Sequence, residues 1–216
     1  MKTYIADFRL SKRWVSACRT WFALFLIAVL THASRSSDDT TQTAKPIPIG
    51  HDLRFTDVHG KSYWLKAAKG QRALVLVFVT TDCPIANSYQ PALSKMHQEF
   101  QKKGFEFAIV HEGPAQSIDK LKEHAKEFAI PLAVVMDSDH SIAKATGATK
   151  TPEVFVFGEE GEIQYQGRID NLHQSFGKKR ATATREDLRI ALTEIELGQP
   201  VSVPKTEAVG CSIQLK

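Results

Sequence analysis

The stretch "ALVLVFVTTDCPIANSY", residues 73 to 89, decides the fold. Its first seven residues form an unbroken apolar run rich in β-branched side chains, which predicts a central strand covered on both faces. A short turn then carries Cys83 and Pro84, and a segment that reads as a helix follows. A thiol between a buried strand and a helix start is placed for chemistry. Only the thiolate is nucleophilic, and unpaired helix N–H groups stabilise that anion. Asp82, next to it, would raise the thiol pKa if it pointed inward. The alternative is an inert, buried cysteine packed at the end of a strand.

Outward from this stretch the pattern alternates. "LRFTDVHGKSYWL" (53–65) predicts two short strands around His59 and Gly60. Leu93, Met96 and Phe100 recur at helical spacing, predicting a helix over 86–103 with a bend at Pro91 and a stop at Gly104. Strands at 105–110 and 132–137 alternate with helices at 117–128 and 141–147. "EVFVFG" and "EIQYQG" form a hairpin about residues 159–161. A last helix over 184–198 has Thr184 and Asp187 in capping-box-like positions and ends on Gly198. This order predicts an α/β fold with a largely parallel sheet, finished by an antiparallel hairpin and one helix.

The ends are different in kind. Lys2, Arg9, Lys12, Arg13 and Arg19 against Asp7 account for the whole net charge of +4, so the remaining chain is close to neutral and offers no sign of a nucleic-acid partner. They precede "WFALFLIAVL" (21–30) and Thr31-His32-Ala33, the layout of a secretory signal over 1–33. An uncleaved anchor is the alternative, and the only membrane association expected. Residues 34–48 read as a flexible linker, 49–198 as the folded domain, and 199–216 as an extended tail carrying Cys211. Removal of the leader would take Cys18 with it and leave Cys83 and Cys211 in a compartment where disulfides persist.

The stretches "DCPIANSY", "TPEVFVF", "YQGRIDN", "FGKKRATATREDLR" and "AVGCSI", in this order, resemble exported bacterial redoxin-domain proteins of the AhpC/TSA and TlpA-like branch. The resemblance covers about 49–198. It implies a thioredoxin-like fold: a central mixed sheet flanked by helices, with an N-terminal hairpin and a C-terminal extended tail. It also implies a cis proline at Pro152 facing the cysteine, with Thr151 offering backbone groups to a bound peptide and Pro84 beside the substrate. Cys83 would be the attacking thiolate and Thr80, from the TxxC pattern, a hydroxyl partner. Two departures matter. Ala86 and Asn87 stand where a CxxC or CxxxC pattern has its second cysteine, and Leu76 replaces the proline expected four positions before Thr80.

The tail can supply the missing thiol, since twelve residues span roughly 40 Å when extended. Cys211 would then resolve an intermediate on Cys83, tie the tail down statically, pair between molecules, or share a soft metal with Cys83 and a histidine. The expected activity is thiol–disulfide exchange or peroxide reduction. Its partners would be a protein thiol, a protein disulfide or a hydroperoxide, together with an external thiol donor. No organic cofactor is implied, because the chain has no phosphate-binding glycine loop. The rival is a non-catalytic binding module, such as a copper-handling or scaffold protein. His111, Glu112 and His173 are expected as solvated residues at the rim. Arg168 and Asp170 are expected as an ion pair with each other or with "GKKR".

Overall fold

The computed structural model describes residues 53–113 and 116–215; the expected leader and linker lie outside them. A hairpin of β1 (Arg54–Thr56) and β2 (Ser62–Trp64) precedes β3 (Ala73–Val79), which is buried along its whole length. Then come α1 (Pro84–Ser88), α2 (Gln90–Phe100), β4 (Phe105–Glu112), α3 (Ile118–Glu127), β5 (Ala133–Asp137) and α4 (Ser141–Thr146). The chain continues through β6 (Lys150–Thr151), β7 (Glu153–Phe157), β8 (Ile163–Gly167), β9 (His173–Ser175) and β10 (Lys178–Lys179). It ends with α5 (Asp187–Glu196) and β11 (Cys211–Ser212).

The main sheet runs β5-β4-β3-β7-β8, with β5, β4 and β3 parallel and β7 and β8 antiparallel to their neighbours. Strand side chains alternate between faces. Val75, Val77 and Val79 therefore pack with Leu93, Phe100, Leu188 and Leu192 of the helices on one face. Leu74, Leu76 and Phe78 pack with Phe55 and Tyr63 of the hairpin and Ile142 of α4 on the other. Burial on both faces is why the 73–79 run contains no polar residue.

The single helix expected over 86–103 is divided. It starts at Pro84, breaks at Tyr89, and resumes with Pro91 in the first turn of α2, ending in a 3-10 turn over Gln101–Lys103. Proline lacks an N–H and is tolerated in a first turn, so the chain breaks before Pro91 instead of bending through it. The expected capping box at the last helix is absent as well. The N-cap is Glu186, without a side-chain cap bond, while Thr184 Oγ1 accepts from Asn171 Nδ2 at 2.8 Å.

The tail is fixed at two places. Pro204 O accepts from Gln166 N at 2.8 Å, and Thr206 N donates to Gln166 O at 2.9 Å. Gly167 makes this approach possible, since a Cβ there would lie 2.2 Å from Thr206 Oγ1. Further on, β11 pairs antiparallel with β6, Cys211 opposite Thr151 and Ser212 opposite Lys150, and Ile213 is buried in the second core.

Candidate active site

Three segments meet at Cys83: the end of β3, the bend before Pro152, and the tail. Cys83 caps the N-terminus of α1 and is 1% exposed, with Pro84 exposed beside it in the first helical turn. The Thr151–Pro152 bond is cis. As a thiol, Cys83 Sγ donates to Thr151 O at 3.1 Å. Cys211 Sγ lies 3.1 Å from Cys83 Sγ and donates to it. Gly210 makes this seating possible, because a Cβ there would lie 2.0 Å from Thr151 O and 2.6 Å from its carbonyl carbon.

The electrostatics of the two sulfurs diverge. Burial pushes the Cys83 thiol up, but hydrogen bonds from the Ala86 N–H, the Cys211 thiol and the Cys211 N–H, together with the Thr151 hydroxyl, outweigh it, leaving the pKa below the ordinary thiol value. Burial also raises Cys211, and the hydrogen bond and charge of Cys83 add to this, pushing it up to about 11. Cys83 is therefore the first of the two to ionise, with the Cys211 thiol placed to donate to it. Asp82 points away, its carboxylate accepting from Thr81 Oγ1 and lying 3.7 Å from Lys120 Nζ. Because α1 has five residues, the support for the thiolate is the local Ala86 N–H and not a long-helix dipole.

Thr80, expected as the hydroxyl partner, takes part through its backbone: its carbonyl accepts from Cys83 N at 3.3 Å, and its hydroxyl is not among the hydrogen-bond partners of Sγ. The Thr151 hydroxyl is buried and makes no hydrogen bond in this arrangement, and it is this hydroxyl, not that of Thr80, that favours the Cys83 thiolate. The sequence singled out Thr151 for its backbone alone.

The rim residues depart further from expectation. His111 and Glu112 lie within β4 and are buried, not solvated. His111 is 0% exposed and neither ring nitrogen has a partner. Burial first, then the charges of His124 and Lys120, push its pKa down to about 3. Its ring meets His124 edge-on at 5.1 Å, and His124 Nε2 contacts Asn87 Oδ1 at 3.0 Å. Asn87, standing where a CxxxC motif has a cysteine, also donates to Thr81 O at 2.8 Å and so ties the cysteine turn to α3. Glu112 instead meets His140 Nε2 at 3.1 Å. His173 lies in β9, its Nε2 3.5 Å from Ser88 Oγ. Arg168 and Asp170 do not pair. Arg168 Nε donates to the buried Asp187 at 2.7 Å, while Asp170 accepts from the Tyr89 hydroxyl at 2.5 Å. The "GKKR" segment takes neither: Arg180 Nε donates to Asn171 O at 3.0 Å.

A strand, a cysteine-proline turn, a divided helix and a cis proline facing the thiol define a thioredoxin-fold redoxin. The chain belongs to the AhpC/TSA family, which residues 46–166 match. It is 25% identical over 129 residues to the thiol-disulfide oxidoreductase ResA of Bacillus cereus, covering 59% of this chain and 70% of that protein. Among solved structures it resembles a hypothetical protein from Sinorhizobium meliloti, with a TM-score of 0.67 and 25% identity over 80% of this chain and 97% of the other. It also resembles an uncharacterized conserved protein from Geobacillus kaustophilus, with a TM-score of 0.66 and 26% identity over 80% and 91% of the two chains. Family and relatives together support a thiol-based redox function.

Proposed function

We propose that this protein is an exported thiol oxidoreductase that cycles between a Cys83/Cys211 dithiol and a Cys83–Cys211 disulfide. The observation that carries this is the 3.1 Å contact between the two sulfurs beside the cis Pro152, with Cys83 lowered and Cys211 raised in pKa. Export is supported by the leader-like residues 1–33. No helix among the described residues is long and apolar enough to cross a membrane.

The Cys83 thiolate attacks an oxidant. With a hydroperoxide, the O–O bond breaks, the alcohol or water leaves, and Cys83 becomes a sulfenic acid. With a disulfide, one substrate sulfur leaves as thiolate and a mixed disulfide remains on Cys83. Either product removes the negative charge that holds Cys211 protonated, so Cys211 ionises more easily at the step that needs it. Its thiolate then attacks the Cys83 sulfur and expels water or the second substrate thiolate, forming the internal disulfide. Tail seating separates the two oxidants. With Cys211 lying opposite Thr151, where the family resemblance puts a bound peptide, a protein disulfide requires the tail to lift, whereas a small hydroperoxide does not need the peptide position.

The test is turnover of hydrogen peroxide, and separately of an oxidised peptide, with dithiothreitol as donor, using wild type, Cys83→Ser and Cys211→Ser. Wild type should turn over. Cys83→Ser should be inactive, and Cys211→Ser should accumulate an adduct on Cys83. Turnover by Cys83→Ser equal to wild type, or stoichiometric copper(I) binding through sulfur without turnover, would overturn the proposal and favour the binding-module alternative.

A further inference from the structure

Cys83 is almost wholly covered, whereas Cys211 is partly exposed. In a disulfide between them, the second sulfur is the one an incoming molecule reaches. A cleft of about 450 Å³ is lined by Lys150, Arg168, His173, Arg180, Glu207 and Gly210, the last being the residue before Cys211 in the tail. That volume falls within the range of small-molecule sites, about 300–1,000 Å³.

Three cations face one carboxylate there. Arg168 is shared with Asp187, but Lys150 Nζ spends one donor on Ser212 Oγ at 3.1 Å and Arg180 Nε one on Asn171 O at 3.0 Å. An ammonium has three donors and a guanidinium five, so both side chains keep unused N–H groups. Lys179 stands opposite His173 in the β9–β10 hairpin, and burial first, then the Lys179 charge, disfavours protonation of His173. Residues 207–210 of the tail line the cleft, so it exists in this shape while the tail is seated.

We propose that this cleft binds the external reductant, a small thiol bearing carboxylates, and presents its sulfur to Cys211. The proposal rests on the Cys83–Cys211 disulfide proposed above. The bound thiolate attacks Cys211 Sγ, the S–S bond breaks, and the electron pair leaves on Cys83, the sulfur with the lower pKa and hence the better leaving group. A second thiolate then attacks the small-molecule sulfur of the Cys211 mixed disulfide. It releases a small symmetrical disulfide and the Cys211 thiolate, which takes a proton from water. Two thiols are oxidised and one protein disulfide is reduced.

The experiment measures reduction of the oxidised full-length protein by mercaptosuccinate, 2-mercaptoethanol and cysteamine, with rates expressed per thiolate. Dianionic mercaptosuccinate should be fastest and cationic cysteamine slowest. The ratio of the mercaptosuccinate to the mercaptoethanol rate should fall roughly tenfold in the double variant Lys150→Gln, Arg180→Gln, and likewise in high salt. Acid quenching should place the mercaptosuccinate adduct on Cys211. No advantage for the dianion, a ratio unchanged in the double variant, or an adduct on Cys83 would overturn the cleft assignment while leaving the disulfide reading intact. An oxidised protein with no Cys83–Cys211 bond at the outset would instead overturn the reading beneath it.

Discussion

A methyl group at position 210 should unseat the tail. In Gly210→Ala the new Cβ would lie 2.0 Å from Thr151 O, 2.6 Å from its carbonyl carbon and 3.0 Å from Pro152 N, all backbone atoms that cannot rotate away. The strand must retreat by an ångström or more, which breaks its pairing with β6 and the Ile213 N to Thr149 O bond of 2.9 Å. Each backbone bond is worth about 1 kcal/mol net, and burial of the Ile213 side chain about 1.5–3 kcal/mol. Together these make a loss of about 3–5 kcal/mol, and every 1.4 kcal/mol is about tenfold in the docked fraction. Thr206 still tethers the tail, so Cys211 remains at a millimolar-scale effective concentration. Closure of the Cys83–Cys211 disulfide should slow by about 100-fold or more. The assay oxidises Cys83 with one equivalent of hydrogen peroxide, quenches with acid over time, and separates disulfide from Cys83 adduct by mass. Val203→Ala, on an exposed part of the same tail, is the control. Closure in Gly210→Ala as fast as in wild type would refute the reasoning.

Other outcomes follow from the same geometry. Thr151→Val removes the hydroxyl that favours the Cys83 thiolate, so the pH profile of Cys83 alkylation should move up; an unmoved profile would show that the hydroxyl does not act. In Cys83→Ser, Cys211 loses a hydrogen bond and a neighbouring charge that raise its pKa, so its own alkylation profile should move down, and an upward move would contradict the coupling. His111 gives a pH dependence of stability. Its folded pKa is about 3, while the unfolded chain takes up the proton near the ordinary value of 6.5. Stability is therefore present above about pH 6.5 and is lost as pH falls toward 3, by at most about 5 kcal/mol from this group. His97, His124 and His173 shift in the same direction. Urea midpoints between pH 7 and 4 should consequently fall less steeply in His111→Phe than in wild type, and equal slopes would refute the assignment.

How much of this was legible in the sequence depended on whether the deciding contact was local. The run 73–79, the cysteine-proline turn and the alternation that follows are local patterns, and they predict the sheet and its order. Pro91 was legible as a disruption but not as a break, because only burial of both Tyr89 and Gln90 shows which side of the proline must carry the turn. The partner of Arg168 was misread because Asp187 is 19 positions away while Asp170 is two away, and pairing followed space. His111 extends a strand whose alternation favours an apolar residue there, so its polarity suggested solvent where the sheet continues. At the site, the meeting of Cys83 with the tail was open to the sequence as a question of reach. The two details that make it work, the missing Cβ of Gly210 and the hydroxyl of Thr151, depend on approaches between segments about 60 to 70 residues apart and left no local trace.

The most direct measurement is disulfide mapping by differential alkylation and mass spectrometry of the protein across a redox titration. One bond, Cys83–Cys211, should appear on oxidation, vanish under mild thiol, and follow a single two-electron transition. A bond that persists at every potential, or two thiols that never pair, would contradict the proposed cycle.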